Sequence, residues 1–462
     1  MMEEIQSHPS SFRDPSGYIF IHKQSVFRQI NLTYRDQYDF LISSGLYQNL
    51  VEREYLIPHK EVDFIPAKSP SAYKIIQPEM LPFISYPYEW CFSQLKDAAL
   101  LTLKIAKAAL AKNMVLKDAS AYNIQFIHGK PVFIDTLSFD IYQEGKPWDG
   151  YRQFCQHFLA PLALAAHVDI RFIQSLKLFI DGIPLDFASK LLPFKTRLDF
   201  NGLGTHIHIH AGMQNSFAGQ GQSSESAVQI TRQMLLNIYD RLMQTVEKLT
   251  WESKNTEWGN YYQDTNYSKQ AFTAKQTLIK EMIARVQPAT VWDLGANNGL
   301  FSRLASEQGI FTIASDIDEA AVEKNYRSIK DSNTKNLLPL VVDLTNPSPA
   351  IGWQNAERDS LVQRSPVDLV MALALIHHLC ISNNVPLEMV AALFAKLGRW
   401  AIVEFVPKED SQVQRLLSTR KDIFDTYTQD GFELAFDIHF ELISKFPIAD
   451  TKRTLYLFKN RG

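Results

Sequence analysis

From about residue 265 to the C-terminus, short apolar runs alternate with segments whose apolar residues recur at helical spacing. "ATVWDLG", "IFTIASD", "LLPLVVDL", "VDLVMALALI" and "WAIVEFVP" are rich in Val, Leu and Ile and lack the in–out alternation of a half-solvated strand. "GLFSRLASEQG" and "EAAVEKNYRSIK", set between them, read as helices. Continuous apolar strands separated by helices predict a parallel sheet covered on both faces, a doubly wound α/β fold. In such sheets ligands bind at the carboxyl ends of the strands, near the switch point.

Upstream, "VQITRQMLLNIYDRLMQTVEKL" predicts a long amphipathic helix. Before it, "THIHIHAGMQNSFAGQGQSSESA", residues 205–227, is rich in Gly, Ser, Gln and Asn and reads as a linker. The chain therefore divides into an N-terminal α+β domain at 1–204, a linker and helical connector at 205–260, and a C-terminal domain at 261–462. In "HIHIH", read as a strand, His206, His208 and His210 share one face, a spacing that a metal site can use. With no matching cysteine or acid nearby, exposed polar alternation is the expectation, and no metal is assigned. "DIRFIQSLKLFIDGI", residues 169–183, is apolar at helical spacing and reads as core.

Composition narrows the setting. Hydrophobic residues make up 46% and charged residues 21% of the 462 residues, an ordinary globular balance. A net charge of −3 offers no global basic field, so no DNA partner is expected. Cys91, Cys155 and Cys380 are far apart and form no CxxC pair, which fits a reducing, cytoplasmic location. The polar N-terminus lacks a signal-like apolar region, and "FLAPLALAAHVDI" is too short and interrupted to span a bilayer.

Three predicted strands end in an acid: Asp293, Asp316 and Asp343. Asp293 stands before a turn with glycines at 295 and 299, without the middle glycine of a dinucleotide fingerprint. A carboxylate there would repel a phosphate and welcome an ammonium or sulfonium group. Asp316 stands where a carboxylate can accept from both hydroxyls of a ribose, and Asp343 where one can accept from an adenine amino group, with Leu344 packing nearby.

"DLGANNG", "SDID" and "VVDL" resemble, in order, the first three motifs of class I S-adenosylmethionine-dependent methyltransferases. The resemblance covers roughly residues 265–460, and "FELISKFPIADTKRTLYLFKN" suits that family's closing antiparallel hairpin. It implies a Rossmann-like, seven-stranded domain and S-adenosyl-L-methionine as cofactor. Asp293, Gly295 and Gly299 would take the methionine end, Asp316 the ribose, and Asp343 the adenine with Leu344 packing nearby; Asn297 and Ile317 would also bind the cofactor. "NPSPAIGW", "ALALIHHL" and "EFVPK" also resemble a bacterial subgroup that includes nodulation-associated methyltransferases, which fixes no substrate.

Methyl transfer is an in-line displacement, so positioning supplies much of the rate, and a weakly acidic nucleophile needs its proton removed. His377 and His378 at the end of "ALALIHHL" are candidates for that base; alternatively, one packs or caps the next helix while the other faces the ligand. Glu404, on an otherwise apolar strand, must be paired or face a cleft. The Asn/Asp-Pro-Pro-Tyr/Phe tetrad of amino-methylating nucleic-acid enzymes is missing. A small molecule or a glycan or lipid precursor is favoured as acceptor over protein and RNA. "TEWGNYYQDTNYS", residues 256–268, offers Trp258, Tyr261, Tyr262 and Tyr267 as a lid or as an interdomain packing strip.

In the N-terminal half, "KDASAYNIQFIHGKPVFIDTL" spaces Asp118, Asn123 and Asp135 as the catalytic loop and metal-binding segment of protein-kinase-like phosphotransferases do. "LKD" and "DTL" replace that family's His-Arg-Asp and Asp-Phe-Gly, and no glycine-rich loop precedes them. The competing account is a β-hairpin turning at Gly129-Lys130 with flanking acids as caps. A substrate-recognition domain is the expectation. A bifunctional phosphotransferase–methyltransferase and a non-catalytic donor-binding or scaffold protein remain the alternatives.

Overall fold

The computed structural model describes residues 6–23, 25–63, 71–212, 229–252 and 268–462. The chain forms two compact units, Met1–Glu252 with Ala350–Arg358, and Ser253–Pro349 with Asp359–Gly462.

The first unit begins with an antiparallel five-stranded sheet, in which Gly17–His22, Ser25–Asn31 and Ala72–Pro78 lie side by side in that order. The 20-residue helix Phe92–Ala111 follows, with Leu95, Ala99, Leu103 and Ala106 fully buried along one stripe. The predicted amphipathic helix spans Arg232–Lys248, opened by the Thr231 side chain as N-cap. Between these helices lies a hairpin, Ile124–Ile127 with Lys130–Phe133. It turns one residue earlier than the sequence suggested, at His128 (φ 51°) and Gly129 (φ 75°). A two-residue turn of the primed type needs two positive φ values, and that pair supplies them.

The "HIHIH" segment is helical rather than extended. Gly204–Ile209 forms a wide helical turn, fastened where Asp199 accepts from the Leu203 and Gly204 N–H groups. Its histidines separate by helical period: His206 (Nδ1 2.7 Å from the Tyr151 hydroxyl) and His210 (stacked on the Tyr151 ring) share one side. His208 turns to Ser189 and Thr196. Residues 213–227 of the predicted linker lie outside the described residues. The predicted core segment at 169–183 folds as the helix Ile170–Lys177, burying Ile173 and Leu176.

The second unit holds the predicted sheet, with strands β1 (Thr290–Leu294), β2 (Phe311–Asp316), β3 (Leu337–Val341), β4 (Val367–Ala372), β5 (Gly398–Phe405), β6 (Phe440–Pro447) and β7 (Thr454–Asn460). Their order is β3-β2-β1-β4-β5-β7-β6. The first five are parallel, and β7 runs antiparallel to both β5 and β6. The apolar runs read without alternation because both faces are covered: Val291, Trp292 and Leu294 are all buried. Helix Lys269–Val286, N-capped by Ser268, buries Ala271, Lys275, Ile279, Met282 and Ile283. The strand order reverses between β1 and β4, so a crevice opens at their carboxyl ends.

Candidate active site

A cavity of ≈ 340 Å³ occupies that crevice. Of the residues expected to hold the cofactor, Asp293, Gly295, Asn297, Asp316, Ile317, Asp343 and Leu344 line it, and so does His378. Gly299, His377 and Glu404 are not among its lining residues.

The turn after β1 is shaped by backbone rather than side chains. Gly295 has φ +70°, which strains any other residue, and a Cβ there would also press on Leu375 Cδ1 at 3.0 Å, beside the β4 exit. Asn297 also adopts a left-handed conformation, and its Oδ1 accepts from the Asn298 N–H at 2.8 Å. The loop is stitched to β2: Ala296 N–H donates to Ser315 O at 2.9 Å, and Asn297 N–H to Asp316 Oδ2 at 2.7 Å. Gly299 sits deeper, where a Cβ would come within 2.4 Å of Asn325 Nδ2.

The acids differ in environment. Asp293 is buried, with Oδ2 accepting from Ser302 Oγ at 2.6 Å. Burial pushes its carboxyl up to about 7, against the opposing pull of the Ser302 hydrogen bond and the Lys275 charge. Asp316 is pushed up to about 6, again by burial, which the N–H groups of Asp318 and Asn297 offset. Each of its oxygens accepts one backbone N–H, leaving lone pairs for further donors. Asp343 is only half-buried and accepts from the Thr345 N–H and hydroxyl at 2.8 and 2.7 Å. Ile317, next to Asp316, is 53% exposed, an apolar surface turned to the cavity rather than to a core.

His377 and His378 stack with ring centroids 4.1 Å apart at the start of a wide helical turn after β4. Burial holds His378 down to about 4 and His377 well below its usual range, so both rings are neutral at physiological pH. A neutral imidazole can accept a proton or orient a hydroxyl, but a ring this reluctant to charge is a weak base.

Glu404 is fully buried in an ion network. Its Oε2 takes Lys275 Nζ at 2.6 Å and its Oε1 faces Arg453 at 3.4 Å; Arg453 in turn makes a two-pronged contact with Asp410 at 2.7 and 3.0 Å. Lys275 itself lines the cavity, with Nζ 4.4 Å from the Phe301 ring centroid. The sequence reading passed over Lys275. It falls four residues after Ala271 and four before Ile279, on the stripe that its helix buries. The proposed aromatic lid at Trp258, Tyr261, Tyr262 and Tyr267 lies outside the described residues.

In the first unit, Asp118, Asn123 and Asp135 converge. Asp118 Oδ1 accepts from the Ser120 N–H at 3.0 Å and feels the charge of Asp135, and burial raises its carboxyl above the usual range. Asp135 is already engaged: the Arg28 guanidinium and the Leu137 N–H donate to Oδ1, and Ser138 Oγ donates to Oδ2 at 2.7 Å. Among the described residues, no group of three or more His, Cys, Asp or Glu side chains is placed to hold a metal ion. No described helix is long and apolar enough to cross a membrane.

A parallel sheet reversed between β1 and β4, closed by an antiparallel β7 and carrying an acid at each of its first three strand ends, defines a Rossmann-like methyltransferase fold. The whole chain also has a close relative: it is 35% identical over 464 residues to nodulation protein NoeA of Rhizobium meliloti (strain 1021), covering 97% of this chain and 95% of that protein. The chain belongs to the NoeA family. No protein-family model matches it. Among solved structures, the bifunctional kinase-methyltransferase WbdD is 15% identical, over 45% of this chain and 43% of WbdD, with a TM-score of 0.32. Magnesium protoporphyrin IX methyltransferase (ChlM) from Synechocystis PCC 6803 is 16% identical over 44% of this chain and 92% of its own, also at 0.32. N-methyltransferase NodS from Bradyrhizobium japonicum WM9 is 11% identical over 42% and 98%, at 0.31.

Proposed function

We propose that residues 261–462 transfer a methyl group from S-adenosyl-L-methionine, and that residues 1–204 recognise the acceptor, in the cytoplasm. The observation that carries the reading is Asp293, a carboxylate buried beside a glycine turn in the cavity wall. Burying a charge is costly, and the Ser302 hydrogen bond and the Lys275 charge offset that cost only in part, which is why its carboxyl resists ionisation. A cationic ligand removes that cost; a phosphate would add to it.

The residues fit the donor. Asp293 faces its α-ammonium, Gly295 and Asn297 let the loop backbone approach it, and Asp316 has free lone pairs for a pair of ribose hydroxyls. Asp343 takes the adenine amino group, while Ile317 and Leu344 supply apolar contact to the rings. When bound, the donor supplies an activated methyl group on sulfonium. The protein's own part is to orient the acceptor and to hold the site dry. His378, neutral and at the cavity, is the residue to orient the acceptor's nucleophilic atom or take its proton. His377 and Glu404 act from behind that surface, His377 by stacking on His378 and Glu404 by holding Lys275. A small molecule or a glycan or lipid precursor is the acceptor class we favour. Calorimetry with S-adenosyl-L-methionine on the wild type and Asp293→Ala tests the site, and failure of the wild type to bind would refute it. Labelled donor incubated with cell extract then separates enzyme from non-catalytic binder and reveals the acceptor.

A kinase-like first unit is favoured by one observation, that Asp118, before the hairpin, lies close enough to Asn123 and to Asp135, after it, to feel both. The magnesium ions of such enzymes need the Asn and the later Asp as open oxygen donors. Asp135 does not fit that role, because Arg28 already supplies its cation. We therefore read the unit as a recognition domain and derive no phosphotransfer from it.

A further inference from the structure

Three large apolar residues that the first unit leaves in solvent fall within seven positions: Phe194, Leu198 and Phe200 are 73%, 61% and 66% exposed. Single exposed apolar residues are ordinary on a globular surface, but a cluster is not. The segment is firmly held. Phe194–Leu198 is a tight 3₁₀ turn whose buried Thr196 places Oγ1 2.8 Å from His208 Nε2. His208 Nδ1 lies 2.8 Å from Ser189 Oγ on helix Leu185–Leu191, so this one ring clamps the turn to the helix. Phe200 is fixed by the next turn, where the Asp199 carboxylate accepts from the Leu203 N–H and the Phe200 carbonyl from the Thr205 hydroxyl.

Cations are interleaved with these residues. At three residues per turn Phe194 lines up with Arg197, and Lys195 with Leu198, while Thr196 points inward. Lys195 and Arg197 are exposed, and neither forms an ion pair among the described residues. The nearest acids in the chain are engaged, Asp199 in its own turn and Asp186 with Lys190 at 3.5 Å. The apolar surface continues onto the helix, where Phe187 and Leu191, one turn apart, are each 37% exposed. The Phe179 ring, 5.6 Å from that of Phe187, brings Leu178 beside them, 81% exposed.

We propose that this face docks peripherally on an anionic lipid bilayer, with Phe194, Leu198 and Phe200 entering the headgroup boundary and Lys195 and Arg197 meeting lipid phosphates. Charge complementarity chooses that occupant: apolar side chains supply the burial, and unpaired cations set among them supply attraction to anionic headgroups. A second copy of the chain fits less well. In a two-fold contact centred on this turn, Lys195 and Arg197 would face their own counterparts, and like charges opposed across an interface are costly. The proposal is independent of the donor cavity and of the methyl-transfer reading.

The test is flotation of the full chain with vesicles of phosphatidylcholine alone, or of phosphatidylcholine with phosphatidylglycerol. The wild type should float with the anionic vesicles and far less with the neutral ones, and raised salt should release it. Lys195→Gln/Arg197→Gln removes two cations, each contributing about fivefold in partitioning, and should weaken binding about 30-fold. Phe194→Ser/Phe200→Ser should weaken it about 10-fold or more. Lys335→Gln/Lys421→Gln, at two exposed lysines of the second unit, changes the net charge equally and should bind as the wild type does. Every substituted position is exposed, and thermal melts report whether each variant folds. A wild type that does not float with anionic vesicles overturns the proposal, and so does an equal loss in the second-unit control. Undiminished binding by the phenylalanine variant overturns it as well. A wild type that stays off the vesicles, dimerises in sedimentation velocity and is made monomeric by Phe194→Ser/Phe200→Ser would assign the face to a second copy instead.

Discussion

Asn297 donates its backbone N–H to Asp316 Oδ2 at 2.7 Å, which fastens the glycine loop after β1 to the acid that ends β2. The same carboxylate holds the Asp318 N–H through its other oxygen. Asp316 therefore shapes the wall of the cavity as well as facing into it.

That double duty separates Asp316 from Asp343. Asp316→Ala strands two backbone N–H groups and should destabilise the fold by about 1–3 kcal/mol, besides weakening S-adenosyl-L-methionine binding. Asp343→Ala breaks contacts only within its own turn, so stability should change by less than about 0.5 kcal/mol while donor affinity still falls. Urea titrations paired with calorimetry read both quantities. Equal stability losses would show that the loop does not depend on Asp316.

Donor affinity should depend on pH through Asp293. Burial raises its carboxyl to about 7 in the empty protein, so ligand binding must expel a proton from the protonated fraction. Affinity is then expected to weaken progressively as pH falls from about 7.5 to 5.5, with proton release visible as a buffer-dependent heat. For stability the sign is opposite. A carboxyl with a raised folded pKa binds more protons folded than unfolded between its ordinary value and about 7, so its contribution to stability falls as pH rises through that window. Binding that is flat with pH would contradict a burial-raised Asp293 carboxyl.

Gly299 and Gly309 both have positive φ, at +76° and +83°, but only Gly299 is crowded. An added Cβ at 299 meets Asn325 at 2.4 Å, whereas nothing lies within 4 Å at 309. Gly309→Ala should cost about 1 kcal/mol from backbone strain alone. Gly299→Ala should cost at least about 2 kcal/mol more, since Asn325 is fully buried and cannot retreat. Equal costs in thermal melts would mean that the loop shifts freely.

His378 is held down to about 4, so it should stay neutral across the range where free histidine titrates. At saturating donor, turnover should show no acid limb near pH 6.5. His378→Gln preserves hydrogen bonding and removes the base; a loss of about 10²-fold or more in kcat with unchanged donor Kd would mark proton transfer, and a smaller loss would mark orientation.

Arg28 is the resident cation of Asp135. Arg28→Met leaves Asp135 without its partner and should destabilise the first unit by about 3 kcal/mol. Wild-type protein should show no thermal shift with magnesium and ATP. A clear shift, abolished by Asp135→Asn, would return the unit to the phosphotransferases.

The sheet and its acids were legible in the sequence because each signal is local. An apolar run that stops at an acid needs no distant partner to be noticed, and Asp293, Asp316 and Asp343 all come to one cavity. Glu404 was legible only as a problem: a carboxylate on an apolar strand must be paired, but Lys275 lies 129 residues away in sequence and Arg453 49. Arg28 is 107 residues from Asp135 and equally invisible from "DTL". In "HIHIH" five residues do not distinguish a period of two from a helical one, and the Asp199 contacts that make the segment helical precede it. Lys275 was missed for another reason: on an amphipathic helix a lone lysine ordinarily reaches out to water, and only burial shows that this one does not.

The first unit is discontinuous, since residues 350–358 belong to it although they follow β3 in the chain. There Glu357 is buried against Arg13, at 2.7 and 3.0 Å, and Arg358 lies 4.5 Å from the Tyr122 ring centroid. A ribosome making this protein releases the first unit's N-terminal residues long before it makes their partner. The unit must therefore wait, incomplete, until β1, β2 and β3 have been synthesised. The first unit is completed only after β3 has been made, and an expression fragment ending at residue 252 would lack the segment that finishes it.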